Sequence, residues 1–273
     1  MHFLLFVFLP FQLSIVGAAD WCQESLGCQC SLTPYDGWWS CKTKTKSFFA
    51  LHPPDEHDRG FHIECNDKVS LNDVVDANLT LGVAAHVTLL HCGITSDASY
   101  ATLFRALKME GLTTLKIDMG HASHNRPLRA SAFAGFQDFF PTFRQLILER
   151  ISVVDEDVLS PLSRLQKLTI HSWTNISFLA PKFLTSLHKL EHLEIYGNPE
   201  LKSFPDHFFD GNVLLKVLNL SSNSLELLQP DLFVNLTDLE ELVLNHNFVT
   251  SVSDNLFVKN SKLKPLMWNQ VPL

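Results

Sequence analysis

Leu190-Glu-His-Leu193-Glu-Ile195-Tyr-Gly-Asn198, Leu215-Lys-Val-Leu218-Asn-Leu220-Ser-Ser-Asn223 and Leu239-Glu-Glu-Leu242-Val-Leu244-Asn-His-Asn247 are three copies of one pattern, L-x-x-L-x-L-x-x-N. They open at residues 190, 215 and 239, so the spacing is 25 and then 24 residues. Within each copy apolar and polar residues alternate, the period of a short strand with one face buried. Leu218 and Leu220 are expected inside, with Val217, Asn219 and Ser221 outside. The asparagines follow the strand, where a side-chain amide can bond backbone groups that the bend leaves unpaired. Six residues before the late units stand Phe209, Phe233 and Phe257. A constant offset predicts that their rings stack as one layer on the opposite side.

The period and wording resemble the leucine-rich repeat. The pattern extends to Leu263-x-x-Leu266-x-Trp268 and, upstream, to Leu165-x-x-Leu168-x-Ile170, Phe143-x-x-Leu146-x-Leu148, Leu112-x-x-Leu115-x-Ile117 and Val87-Thr-Leu89-Leu-His-Cys92. That makes about eight units, the last incomplete. Gly120, Ile151 and Trp173 replace asparagine in the early turns, so those turns are less defined. The expected fold is an α/β solenoid, a horseshoe with a parallel concave sheet.

The chain has 273 residues, 46% of them apolar, enough for a sizeable core. A formal net charge of −8 gives counterion release little to work with, so nucleic acid is a poor partner. Residues 1–19 read as a signal peptide: an apolar run to Val16, broken by Pro10 and Gln12, then Gly17-Ala18-Ala19. No later window is apolar for long enough to span a membrane. Cys22, Cys28, Cys30, Cys41, Cys65 and Cys92 all lie in the first third of the chain. Behind a secretory signal, an even number of cysteines reads as disulfides rather than a zinc site. Residues 20–70 are then the N-terminal cap that closes the solenoid's exposed apolar end, and 71–273 the repeats. The chain stops at Leu273 within a repeat, without a terminal cysteine cluster, and so reads as a truncated or soluble form.

No sequence motif argues for catalysis, and no cofactor is expected. His188-Lys-Leu-Glu191-His192 matches a zinc-protease signature, but the surrounding leucines have the spacing of a repeat strand rather than the helix that motif requires. His121 and His124, with His52, His57 and His62, lack carboxylate or cysteine partners at a persuasive spacing for a metal. Asn78, Asn175, Asn219 and Asn235 each open an N-x-[ST] sequon, a glycan acceptor in a secreted chain. Asn78 and Asn235 fall where a sugar obstructs little. Asn219 is expected on the concave face, so a sugar there would confine binding to the earlier units or to a flank.

The cap resembles that of insect Toll receptors in Asp20-Trp-Cys22, Cys28-Gln-Cys30, Cys41, His62-Ile-Glu-Cys65-Asn66 and Val87-Thr-Leu-Leu-His-Cys92. Asn260-Ser-Lys-Leu263 through Leu273 also looks like a mid-ectodomain repeat of that family. The resemblance implies the N-terminal part of an extracellular receptor domain that binds a dimeric Spätzle-like cystine-knot cytokine in innate immunity or development. Alternatively it implies a soluble decoy. It places the chain outside the cell, or on the outer side of the plasma membrane if a longer receptor carries it, with a receptor dimer assembling on the ligand. By the same likeness Cys22 pairs with Cys30, Cys28 with Cys41 and Cys65 with Cys92. The candidate contacts are outward strand positions of the early units: His86, Thr88, Leu90, Lys116, Asp118, Ile147, Glu149 and Arg150. Apolar residues rimmed by charge are what an interface uses. A secreted matrix or adhesion protein is the alternative, since one solenoid serves many partners.

Overall fold

The computed structural model describes residues 31–32, 39–42, 48–52, 60–65, 70–76, 81–94, 98–120, 127–173 and 179–264, with side chains from residue 60 onward. The signal segment, Cys22, Cys28, Cys30, His57, Asn78, His121, His124, Asn175, Leu266 and Trp268 lie outside these residues, as does the side chain of Cys41.

One open sheet runs through the described chain in sequence order. Its strands are β1 (Ser31–Leu32), β2 (Trp39–Lys42), β3 (Phe48–His52), β4 (Gly60–Glu64), β5 (His86–Leu90), β6 (Thr114–Asp118), β7 (Gln145–Glu149), β8 (Lys167–His171), β9 (His192–Tyr196), β10 (Val217–Asn219) and β11 (Glu241–Val243). β1 to β4 pair antiparallel, and every later pair is parallel. β4 is therefore the pivot. Its alternating Phe61 and Ile63, exposed by 2% and 0%, already follow the inward positions of a repeat strand. Just past β4 and β5, Cys65 and Cys92 form a disulfide, and the Cys65 N–H donates to the Leu90 carbonyl at 2.9 Å.

Return segments differ along the solenoid. Early ones carry helices: α1 (Leu71–Asp76), α2 (Tyr100–Ala106), a 3-10 turn at Ala130–Phe133 and α3 (Phe136–Phe139). Ser99 caps α2 by accepting the Thr102 N–H. The later return segments are made of turns.

The sequence-predicted alternation holds: Leu193, Ile195, Leu218 and Leu220 are each 0% exposed. The aromatic layer forms as expected. Phe209 and Phe233 stack at 6.0 Å between centroids, and Phe233 and Phe257 at 5.9 Å.

The asparagines do the work their position suggests. Asn223 donates to the Ile195 and Leu220 carbonyls at 2.7 and 2.8 Å, while its oxygen accepts the Asn198 backbone N–H at 3.0 Å. Asn247 likewise donates to the Leu220 carbonyl at 2.8 Å. Trp173, 1% exposed, stands in the asparagine slot of the β8 unit. Its indole N–H donates to the Leu148 carbonyl at 3.1 Å. Leu148 holds the same place on β7 that Ile195 holds on β9, so the indole takes over the amide's cross-strand bond and adds apolar area. A second pair of buried asparagines, Asn212 and Asn260, binds carbonyls on the opposite side: Asn212 those of Leu184 and Leu187, Asn260 those of Phe233 and Leu236.

Candidate ligand-binding face

The outward side chains of β4 to β11 form rows set by register. One row runs Asp118, Glu149, His171, Tyr196 across β6 to β9. The row beside it runs Thr88, Lys116, Ile147, Thr169, Glu194. Asp118 and Glu149 are therefore carboxylates on directly adjacent strands, a repulsive pairing unless a cation lies between them.

Arg150 supplies that cation. It follows β7 with φ of +50, a left-handed turn that brings its side chain back over the sheet. Its guanidinium bridges Asp118 and Glu149, reaching Glu149 at 2.7 Å. Lys116 reaches the other oxygen of Glu149 at 2.6 Å, and His171 approaches the same oxygen at 3.5 Å. Asp118, 2% exposed, uses its second oxygen to accept the Gly120 N–H at 2.9 Å. Gly120 has φ of +59, which L side chains rarely adopt, and a Cβ there would meet the His91 ring, so glycine suits this turn.

Burial alone would raise the Glu149 carboxyl, but the Lys116 hydrogen bond and the charges of His171, Lys116 and Arg150 outweigh it and hold it below the usual carboxylate range. Burial chiefly lowers His171. Lys116 and Arg150 add to that, against the opposing pull of Glu149 and Asp118. Its ring stacks on Tyr196 at 5.1 Å with an interplanar angle of 3°. Beyond it, Glu194 accepts the Thr169 hydroxyl at 3.0 Å and pairs with Lys167 at 3.6 Å.

A His171 pushed below its ordinary value is neutral in the folded state where the unfolded chain already takes a proton. Stability from this residue is present above a pH of about 6.5 and falls as pH drops below it. Melting temperatures of the wild type and His171→Phe, followed from neutral to acidic pH, test this. The wild type is expected to lose more on acidification. A relative gain would rule the reading out.

The structure brings four of the sequence-chosen contacts, Lys116, Asp118, Glu149 and Arg150, into this one network. It buries two of them, Asp118 at 2% and Glu149 at 8% exposed, because their carboxylates are consumed by neighbours. His86 is exposed, and Thr88, Leu90 and Ile147 are half-buried on the same face, outside the ionic cluster. Sequence reasoning stopped at the early units and so missed His171, Tyr196, Thr169 and Glu194. Their signal was the same outward alternation in β8 and β9. In the zinc-protease-like segment, His188 lies in a turn with Nδ1 at 3.2 Å from the Gly211 carbonyl, and Glu191 pairs with Lys216 at 2.6 Å. Among the described residues no group of histidine, cysteine and acidic side chains is placed to hold a metal, and no helix is long and apolar enough to cross a membrane.

The leucine-rich-repeat family matches residues 163–225, 190–248 and 213–267. Toll-like receptor 9 of Mus musculus is 32% identical over 90 residues, covering 33% of this chain and 8% of the receptor. Among solved structures, a chain of the Drosophila Toll–Spatzle complex superposes with a TM-score of 0.62 at 19% identity, covering 90% of this chain and 35% of that one. A chain of the TLR13–ssRNA13 complex gives 0.58 at 20% identity, covering 72% and 26%. The chain thus spans about a third of the Toll chain it superposes on. Residues 163–267 match the leucine-rich repeat, and the chain has the leucine-rich-repeat fold of the Toll chain it superposes on.

Proposed function

We propose that this chain is the extracellular ligand-binding part of a Toll-type receptor, or a soluble decoy of one, and that its ligand is a dimeric Spätzle-like cystine-knot cytokine. The observation that carries the reading is the superposition of 90% of the chain on a protein solved in a Toll–Spatzle complex. The early concave face supports it: exposed His86 and half-buried Thr88, Leu90 and Ile147 offer mixed apolar and polar area beside the ionic cluster. Lys116 and Arg150 border that area as partly exposed cations, while Asp118 and Glu149 hold them in place. This pairing also argues against an RNA ligand like the one bound to TLR13, since cations already neutralised by carboxylates release few counterions. The chain's role is binding rather than catalysis, and its place is outside the cell.

Pull-down of a purified Spätzle-type dimer by the secreted chain tests the proposal. Enrichment is expected, and it should fall at least tenfold in a Leu90→Asp, Ile147→Asp double variant. Retention no better than by that variant would count decisively against it.

A further inference from the structure

We propose that the cleft between the return segments leading into β6 and β7 is a docking site for a short acidic peptide segment of a partner protein, one that sets a carboxylate beside an aromatic or aliphatic side chain. The site goes beyond the ligand proposal, because its residues precede β6 and β7 in the chain and none belongs to the outward rows of the sheet.

The cleft has a volume of about 610 Å³, within the roughly 300–1,000 Å³ typical of ligand pockets. Its apolar lining is Met109 and Phe140, 0% and 2% exposed, joined by half-buried Phe139 and exposed Pro141. The last turn of α2 delivers Arg105, and Lys108 follows the helix with φ of +52. Both are exposed cations, and neither enters an ion pair among the described residues.

Elsewhere on the outer surface, cations of one unit meet carboxylates of the next: Arg164 reaches Asp138 at 2.7 Å, Lys262 Asp238 at 2.6 Å and Lys202 Glu226 at 2.9 Å. Arg105 meets a ring instead. Its guanidinium carbon lies 4.7 Å from the Phe139 ring centroid, while Asp138, the next residue along, is bound to Arg164. Stacking on the ring orients the guanidinium plane and leaves its N–H edge able to fork a carboxylate. The single carboxylate of the lining is Glu110, so two cations against one acid leave one net positive charge in a chain whose formal net charge is −8. Gly111 completes the cleft. It has no side chain, and its N–H makes no hydrogen bond among the described residues, so an acceptor oxygen of a peptide can approach the backbone there.

An acidic side chain next to an apolar one satisfies both halves of this site. The carboxylate meets Arg105 and Lys108, and the apolar neighbour covers Phe139 and Phe140. RNA or another polyanion fits it poorly, because one net positive charge releases few counterions.

The full chain is titrated into a fluorescently labelled, end-blocked pentapeptide that has two aspartates flanking a phenylalanine, and anisotropy is followed. Saturable binding is expected. Replacing the phenylalanine of the peptide by serine should weaken it about tenfold, and so should replacing both aspartates by asparagine. An Arg105→Gln, Lys108→Asn double variant should also lose about tenfold with an unchanged melting temperature, since both residues are exposed and asparagine tolerates a positive φ. The Leu90→Asp, Ile147→Asp variant should bind the peptide as the wild type does, so that failure of this site and failure of the cytokine face read out separately. Absence of saturable binding overturns the proposal. So does equal binding of the serine peptide, which would reduce the site to surface charge, retention by the Arg105, Lys108 variant, or loss in the Leu90, Ile147 variant, which would move the peptide elsewhere.

Discussion

Phe233→Ala is expected to destabilise the protein by about 3–5 kcal/mol, the range for deleting a fully buried aromatic ring. Phe233 is 0% exposed and is the middle of the three stacked rings, so its loss removes contacts to both Phe209 and Phe257. Its carbonyl also accepts the buried Asn260 amide at 2.9 Å, and a cavity beside that bond loosens the next turn as well. Repeats contact only their neighbours, so the damage should be local. Hydrogen exchange should rise in residues 209–264 before it rises around β5 to β7, and the denaturant midpoint should fall. Phe233→Leu, which keeps most of the volume, should cost much less. A Phe233→Ala loss under about 1 kcal/mol would mean that the aromatic layer packs without supporting the repeats.

The second large effect is expected at Arg150. Arg150→Met keeps the apolar stem but withdraws the charge that separates Asp118 from Glu149 on adjacent strands. Removing one partner of a buried ion pair costs about 3–5 kcal/mol. Here the partly exposed guanidinium brings the expectation toward the lower end. The mechanism makes a sharper claim than the magnitude. If the cost is that of a stranded carboxylate, Asp118→Asn should be far less damaging in the Arg150→Met background than in the wild type. A double-mutant cycle measured by chemical denaturation gives the coupling directly. Additive losses would show that Arg150 contributes packing alone.

Much of this architecture follows from local pattern. The alternation in Leu218-Asn219-Leu220 assigned inside and outside for β10, and the constant offset of Phe209, Phe233 and Phe257 foretold their stack. Asn198, Asn223 and Asn247 were legible because the bend always leaves the same backbone groups to be paired. Other features lacked a local cue. Trp173 looked like a break in the asparagine series, yet it makes the same cross-strand bond with a different donor. The strand character of Gly60–Glu64 was hidden because its leucine slots hold Phe61 and Ile63 and it lies beside the cysteines of the cap.

The candidate face divides along the same line. Period-two alternation, a property of the strand alone, determined which residues leave the core, and so selected Lys116, Asp118 and Glu149 as outward. Their mutual positions depend on register between strands separated by some twenty to thirty residues, and on the left-handed turn at Arg150. Those relations come into being only when the repeats stack. The sequence by itself determined a repeat solenoid and its two faces. The tertiary structure decided that the charged residues on the concave face are first partners to each other, because adjacent strands force their carboxylates together and only a neighbouring cation relieves the repulsion.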